Sequence, residues 1–363
     1  MSMSKRSSTK RTALIVLCCV LALVLAALLV VTIVVNSLLD QVQHPADTTL
    51  SSSEIEQFLN ENAATGTGPT VLDEDIDFGT KPTQTTEPTQ SMEPTEEVEP
   101  TEEVEPNELI NILLIGQNAH SVTSWQKSEV MILCTFNKKA KTVTMTSFLR
   151  DMYVQIPGYG NNKLNVAYTI GGMNLLNQTL EENFGVKIDG NIAVNFSSFM
   201  KLIDRVGGVK INLTAEEANY LNIHGNQRIT SNDGWNLKEG DNILTGSQAL
   251  GYSLLRQLGG ETERTARQRK VIGALIDQTK KQDLAELYDL AKDAAAMIST
   301  DMTDNQIKAY IAKVAPMLSD LKQVTQRIPL EGTYSYKNVS GVGNCAVIDF
   351  NANRKALEKT VKP

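Results

Sequence analysis

Histidine is nearly absent from these 363 residues: His44, His120 and His224 are the only three. A histidine-based catalytic triad therefore has little to draw on, and no metalloprotease helix motif, Walker loop, dinucleotide glycine fingerprint or Gly-x-Ser-x-Gly elbow occurs. Cysteine is also scarce. Of the four, Cys18 and Cys19 fall inside a long apolar run, which leaves Cys134 and Cys345 and excludes a disulfide framework. Cys134 closes the apolar stretch Val130 to Cys134 and reads as a small buried side chain, although a single bridge to Cys345 stays open. The middle of the chain lacks positive charge: residues 40 to 108 hold one lysine against 18 acids, whereas residues 109 to 363 hold 29 bases against 24 acids. That mildly basic balance is compatible with a polyanionic or phosphorylated ligand.

From Ala13 to Val35 every residue is apolar except Thr32 and the two weakly polar cysteines. At about 1.5 Å per residue such a helix reaches roughly 34 Å, enough to cross a bilayer. No small-x-small cleavage site follows Val35-Asn36-Ser37, so the run is expected to be an uncleaved signal anchor. Lys5, Arg6, Lys10 and Arg11 precede it and Asp40 and Asp47 follow, which places the N-terminus in the cytoplasm and the bulk of the chain outside. The expected location is the cell membrane of a Gram-positive-type envelope. Residues 1–12 form a cytoplasmic tail too short to read DNA, so nucleic acid is not an expected partner.

Residues 36–106 are rich in Thr, Pro and Glu, and the hexad Glu-Pro-Thr-Glu-Glu-Val runs twice from Glu93 to Val104. Such composition buries no core and predicts a disordered stalk. Folded sequence starts at Leu109. Strands are expected at Ile110–Ile115, Val130–Phe136, Thr142–Phe148, Tyr153–Ile156, Asn191–Asn195 and Val209–Leu213, with late strands near Val324–Pro329 and Ala346–Asp349. Helices are expected at Met173–Phe184, Phe196–Val206, Thr245–Arg256, Thr262–Lys280, Ala285–Ser299 and Thr303–Leu321. The alternation predicts an α/β fold, a mixed β-sheet with helices on both faces (an αβα sandwich), preceded by one transmembrane helix and the disordered stalk. The main domain is placed at 107–282, with 283–363 as a helical extension carrying short strands and packed upon it.

Chemistry falls to arginines and acids. Arg150-Asp151 follows the strand ending at Phe148, where ligand groups converge in sheets of this type. In the helix starting at Thr262, stepping back from Val271 along the apolar face reaches Arg267 and Gln268, then Arg264. Guanidinium groups on a core-facing stripe need anionic partners, either a ligand phosphate or carboxylates such as Glu261 and Glu263. Leu175, Leu176, Leu180, Phe199, Leu202 and Ile203 are candidate walls of an apolar slot, or ordinary core.

The segments Asn111-Ile112-Leu113-Leu114-Ile115-Gly116, Lys127-Ser128-Glu129, Leu149-Arg150-Asp151 through Pro157-Gly158, Lys163-Leu164-Asn165-Val166-Ala167-Tyr168, Gly207-Gly208-Val209, Leu244 to Tyr252 and Arg264-Thr265-Ala266-Arg267-Gln268 occur in an order and spacing that resembles the LytR-CpsA-Psr family. The resemblance implies transfer of a glycopolymer from an undecaprenyl-pyrophosphate carrier to peptidoglycan, with a phosphodiester formed. It implies Arg150, Asp151 and Glu129 as catalytic residues. Lys127, Lys163, Asn165, Arg256, Arg264, Arg267 and Gln268 would join Arg150 on the pyrophosphate, so that on this resemblance Arg150, Arg256, Arg264 and Arg267 are expected to line one concave basic pocket. Mg²⁺ or Mn²⁺ would be held by Glu129, Asp151 and Asn118. Partners would be the lipid-linked glycan, the peptidoglycan acceptor and the cytoplasmic membrane.

Four positions depart from that pattern. Asn118 replaces an acid, Lys127 and Glu129 replace Arg and Asp, and Leu254 replaces an arginine ahead of Arg256. Asn for Asp removes a charge from a hard-cation site, and Lys for Arg loses bidentate phosphate recognition. Two alternatives follow: a relative that binds lipid-linked glycopolymer without transfer, and a surface protein with a regulatory role.

Overall fold

The computed structural model of the chain describes residues 37, 39–44, 50–55, 57, 70–71, 109–117, 127–229, 233–282 and 284–361. The expected tail at 1–12, the anchor at 13–35 and Asn118 lie outside the described residues. Among the described residues no helix is long and apolar enough to cross a membrane.

In chain order the strands are β1 (Thr70–Val71), β2 (Leu109–Gln117), β3 (Ser128–Asn137), β4 (Thr142–Phe148), β5 (Tyr153–Ile156), β6 (Gly160–Lys163), β7 (Gly190–Asn195), β8 (Val209–Leu213), β9 (Gly240–Leu244), β10 (Ser299–Thr300), β11 (Lys322–Ile328), β12 (Tyr334–Val339) and β13 (Gly343–Ile348). The helices are α1 (Leu164–Phe184), α2 (Phe196–Arg205), α3 (Ala215–Arg228), α4 (Gly246–Leu254), α5 (Gly260–Thr279), α6 (Leu284–Ala295), α7 (Asp304–Val314) and α8 (Phe350–Val361). Six strands form the central sheet in the order β10-β7-β2-β3-β4-β11. It is mixed: β2–β3, β3–β4 and β7–β10 are antiparallel, β2–β7 and β4–β11 parallel.

The period of two along β2 and β3 explains the three layers. Leu113, Ile115, Met131 and Leu133 face α1 and α8, sharing one core with Leu176, Phe184 and Phe350. Ile132 and Cys134 face the other way, against Leu321 and the α5 residues Ile272 and Ile276, while Ile110 and Ile112 meet Met302 and residues of α7. Each such side chain, fully buried, contributes about 1.5–3 kcal/mol. The expected αβα arrangement holds, and Cys134 and Cys345 are free and buried in separate clusters.

Several expectations need correction. The helix expected from Met173 begins at Leu164 and continues through a kink at Gly171-Gly172, where Gly172 takes φ 59°. Two glycines in sequence read as a break, but the helix on each side packs on the same sheet face. Residues 283–363 do not only pack upon the sheet: they supply β10 and β11, its two edges, and α8, which packs on α1. Nor is the region 36–106 wholly stalk. Ile55 enters the main core, Leu39 is buried, the Leu50 amide donates to the Ile170 carbonyl at 3.4 Å, and β1 pairs in parallel with β12. Isolated apolar residues in a polar stretch, too sparse to read as elements, find pockets on the finished fold.

Candidate functional site

Strand register builds the charged part of the site. β3 and β4 pair with Ile132 opposite Ser147, and continuing that register by three residues sets Glu129 opposite Arg150. The Arg150 guanidinium hydrogen-bonds the Glu129 carboxylate. From α5, Arg264 reaches the same Glu129 oxygen at 3.7 Å and Glu261 at 2.5 Å, and Glu261 also binds Arg256 at 2.6 Å. One chain of contacts thus joins Arg150, Glu129, Arg264, Glu261 and Arg256. Arg264 is only 2% exposed and its Nε, though buried, has no hydrogen-bond partner, so donor capacity remains at the core of the network.

The loop after β4 is tied to the start of α1: the Leu164 amide donates to the Met152 carbonyl at 2.9 Å and the Asn165 amide to the Arg150 carbonyl at 3.0 Å. That brings Lys163 and Asn165 to the loop. The Asn165 Oδ1 is buried without a partner. Lys127 joins the group, and its ammonium is pushed below the usual lysine range by burial first and by the like charge of Lys163 second. Asp151 is held by a hydrogen bond from the Tyr336 hydroxyl, yet burial raises its carboxyl above the ordinary aspartate range, with Glu261 adding to the rise. Its Oδ1 is buried and unpartnered. Arg150, Arg256, Arg264, Lys127 and Lys163 confront Glu129, Glu261 and Asp151, so the mouth carries an excess of positive charge.

Arg267 is elsewhere. Its Nε donates to Glu217 at 2.8 Å, Nη1 to the Leu255 carbonyl at 3.0 Å and Nη2 to the Leu258 carbonyl at 2.7 Å. With all three nitrogens engaged in the protein, it departs from the expected four-arginine pocket and pins α5 to α3 and to the loop after α4. Gln268, by contrast, lies on the Arg264 side of α5 and lines an apolar cavity of about 100 Å³ with Leu114, Ile132, Phe199, Leu254 and Ile272. The cavity runs between the sheet and α2, α4 and α5. Of the expected slot walls, Phe199 lines it, whereas Leu175, Leu176 and Leu180 belong to the core on the other face of the sheet. Amphipathic stripes look alike in sequence whichever face they cover.

Sequence reading missed Tyr336 as a member of the site, its signal being slight, a tyrosine-rich tail far along the chain, whereas Glu261 is named from the sequence as a carboxylate partner for the arginines of this helix and pairs with Arg264. For a divalent cation the arrangement is incomplete. Among the described residues no three His, Cys, Asp or Glu side chains stand together as ligands, Glu129 is taken by two arginines, and Asn118 lies outside the described residues.

The LytR_cpsA_psr family model matches residues 76–358. This chain belongs to the LytR-CpsA-Psr family. Among its LytR-CpsA-Psr relatives is the polyisoprenyl-teichoic acid–peptidoglycan teichoic acid transferase TagT of Bacillus subtilis (strain 168), 28% identical over 256 residues, 69% of this chain and 74% of that protein. Another is the regulatory protein MsrR of Staphylococcus aureus (strain COL), 29% identical over 256 residues, 69% of this chain and 73% of the relative. The solved structure of TagT bound to LIIa-WTA matches with a TM-score of 0.58 at 24% identity, covering 71% of this chain and 92% of that one. A TagT structure with bound octaprenyl pyrophosphate lipid matches with a TM-score of 0.54 at 24% identity, over 71% of this chain and 92% of that chain. These likenesses establish the family's fold for the chain.

Proposed function

We propose that the protein transfers a phosphate-linked glycopolymer from a polyprenyl-diphosphate carrier to peptidoglycan at the outer face of the cytoplasmic membrane. One observation carries the reading: Arg264, Gln268 and Ile272 succeed one another along a single side of α5, leading from a cationic mouth into an apolar slot. That gradient matches an amphiphile with a diphosphate head and a hydrocarbon tail. Its relatives support it, since TagT is named for teichoic acid transfer to peptidoglycan.

In the transfer, an acceptor sugar hydroxyl attacks the phosphorus that bears the polymer. A new P–O bond forms, the bond to the bridging diphosphate oxygen breaks, and polyprenyl phosphate leaves. Arg150, Arg256 and Arg264 neutralise the charge gathering on the diphosphate oxygens. Lys127, Lys163, Asn165 and Gln268 orient the head group. Asp151, whose raised carboxyl range brings it nearer neutrality, takes the acceptor proton. The described residues do not complete a divalent-cation site, so no step is routed through Mg²⁺ or Mn²⁺. The metal requirement implied by the family is kept for testing, with Glu129 as the carboxylate an anionic head would free by drawing Arg150 and Arg264 away.

Leu254 favours a second reading. Where the family pattern has a cation, this side chain lines the apolar slot, which strengthens tail binding at the expense of charge stabilisation and suits a binder without turnover. The experiment that separates them incubates the purified full-length protein with lipid-linked teichoic acid precursor and peptidoglycan, with and without EDTA. Transfer by wild type, lost in Arg150→Ala and on chelation, supports the metal-dependent transferase. Tight lipid binding with no transfer under any divalent ion supports the binder. No lipid binding at all sinks both.

A further inference from the structure

Helix α5 has a second working side. With about 100° between successive residues, positions 270, 273 and 277 point away from 264, 268 and 272, and position 269 lies on the flank next to them. On that far side lies a separate open cleft of about 860 Å³ between α5, β4, β8 and the sheet-edge strand β11, with Lys210, Arg269, Lys270, Lys281, Gln323 and Thr325 among its walls. None of these residues belongs to the mouth or slot.

The charges of this cleft are unevenly matched. Two of its acids are engaged: Glu217 by Arg267 at 2.8 Å, and Asp277 by Lys280 at 3.4 Å and Gln323 at 2.9 Å. Arg269 has no such partner. It is 9% exposed, its Nη1 donates to the Ser147 hydroxyl at 2.8 Å, and its Nε is buried with no hydrogen-bond partner. Among the described residues no carboxylate forms an ion pair with it, and Arg327 stands close enough to repel it. Burial, then Arg327, pushes its guanidinium down to about 10, with only Glu263 opposing. Lys270 and Lys281 reach neutral groups, the Tyr252 hydroxyl at 3.5 Å and the Gln278 side chain at 3.3 Å. A buried cation without a counter-charge is destabilising, and an anion in the cleft would supply what the protein does not. The volume falls in the range of sites for ligands much larger than one phosphate, and the charged and amide side chains set among apolar wall surface suit an extended chain of alternating phosphate and carbon backbone.

The geometry points to this cleft as a binding site for a phosphate-bearing polyol or sugar chain, held by Arg269, Lys270 and Lys281 and separate from the diphosphate mouth. It deepens the proposed function, resting on it only for the choice of polymer.

The test uses the full-length protein in detergent and a synthetic, lipid-free glycerol-phosphate hexamer, with maltohexaose as the neutral control. Titration calorimetry should show hexamer binding that weakens with salt and no maltohexaose binding. Arg269→Gln and the surface substitution Lys281→Glu should each weaken the hexamer by about tenfold. Arg269→Gln removes an uncompensated charge and should melt no lower than wild type, and Lys281→Glu keeps the test open should it nevertheless misfold. Arg150→Ala should abolish polyprenyl-diphosphate binding and leave the hexamer bound, so failure of one reading is distinguishable from failure of the other. The cleft is overturned if both cleft variants bind the hexamer as wild type does, if maltohexaose binds equally well, or if Arg150→Ala removes hexamer binding.

Discussion

Arg264 and Arg267 stand three residues apart on α5 and meet different partners. Arg264 shares Glu129 and Glu261 at the mouth and retains an unpartnered Nε, whereas Arg267 is saturated by Glu217 and two carbonyls. Both residues were legible in the sequence as cations on a core-facing stripe, but their partners were not, because Glu217 is fifty positions away on α3. The difference is measurable. Arg267→Ala leaves Glu217 buried without a counter-charge and should cost about 3–5 kcal/mol in urea denaturation; a loss under about 1 kcal/mol would contradict the assigned structural role. Arg150 pairs with a partly exposed carboxylate at the rim, so Arg150→Ala should act on lipid affinity far more than on stability, measured by titration and melting on the same sample.

At the scale of elements, the pairing of β2 with β7 begins at a single carboxylate. Asp189 accepts the Asn111 amide at 2.7 Å while its own amide donates to the Asn111 carbonyl at 2.9 Å. Burial raises the Asp189 carboxyl above the ordinary value despite that hydrogen bond. A raised carboxyl means the folded state binds more protons than the unfolded state between the ordinary value and the raised one, so stability falls as pH increases through that window. Asp189→Asn keeps an acceptor oxygen and removes the titration. Its melting temperature should exceed wild type at pH 7, and the gain should vanish near pH 4, close to the ordinary aspartate range; a pH-independent difference would contradict the assignment. The strands β2, β3 and β4 were readable because β-branched and apolar residues cluster between turn formers. Helix α3, with Glu, Asn and His spread through Ala215–Arg228, was not, since its identity rests on the Thr214 capping box and on Leu221 and Ala218 meeting β8 and Trp235.

At the scale of the molecule, the sheet closes only when the end of the chain returns to it. β10 and β11 flank the sheet, β11 runs parallel to β4 beside the site, and β12 delivers Tyr336 to Asp151. Removing residues 299–363 exposes both new edges and the apolar surface under Ile328 and Phe350. Such a chain should show no cooperative thermal transition and should aggregate; a soluble truncation that melts cooperatively and binds polyprenyl diphosphate would refute the single-unit description. The proposed binding face is likewise composite, with the mouth drawn from β3, the loop after β4, the loop after α4 and α5, and the apolar slot from the sheet, α2, α4 and α5.

Local sequence by itself determined the layer order, through apolar strand runs alternating with amphipathic helices, and it marked Arg150, Asp151 and Arg264 as residues of interest, to which the family resemblance added Glu129. What tertiary structure alone decided was which charges meet: Arg150 with Glu129 through strand register, Arg264 with two acids, Arg267 with none at the mouth. Periodicity is a property of neighbours a few residues apart and is written in the chain. The pairing of buried charges depends on contacts across tens to hundreds of residues, where distance in sequence carries no information about distance in space.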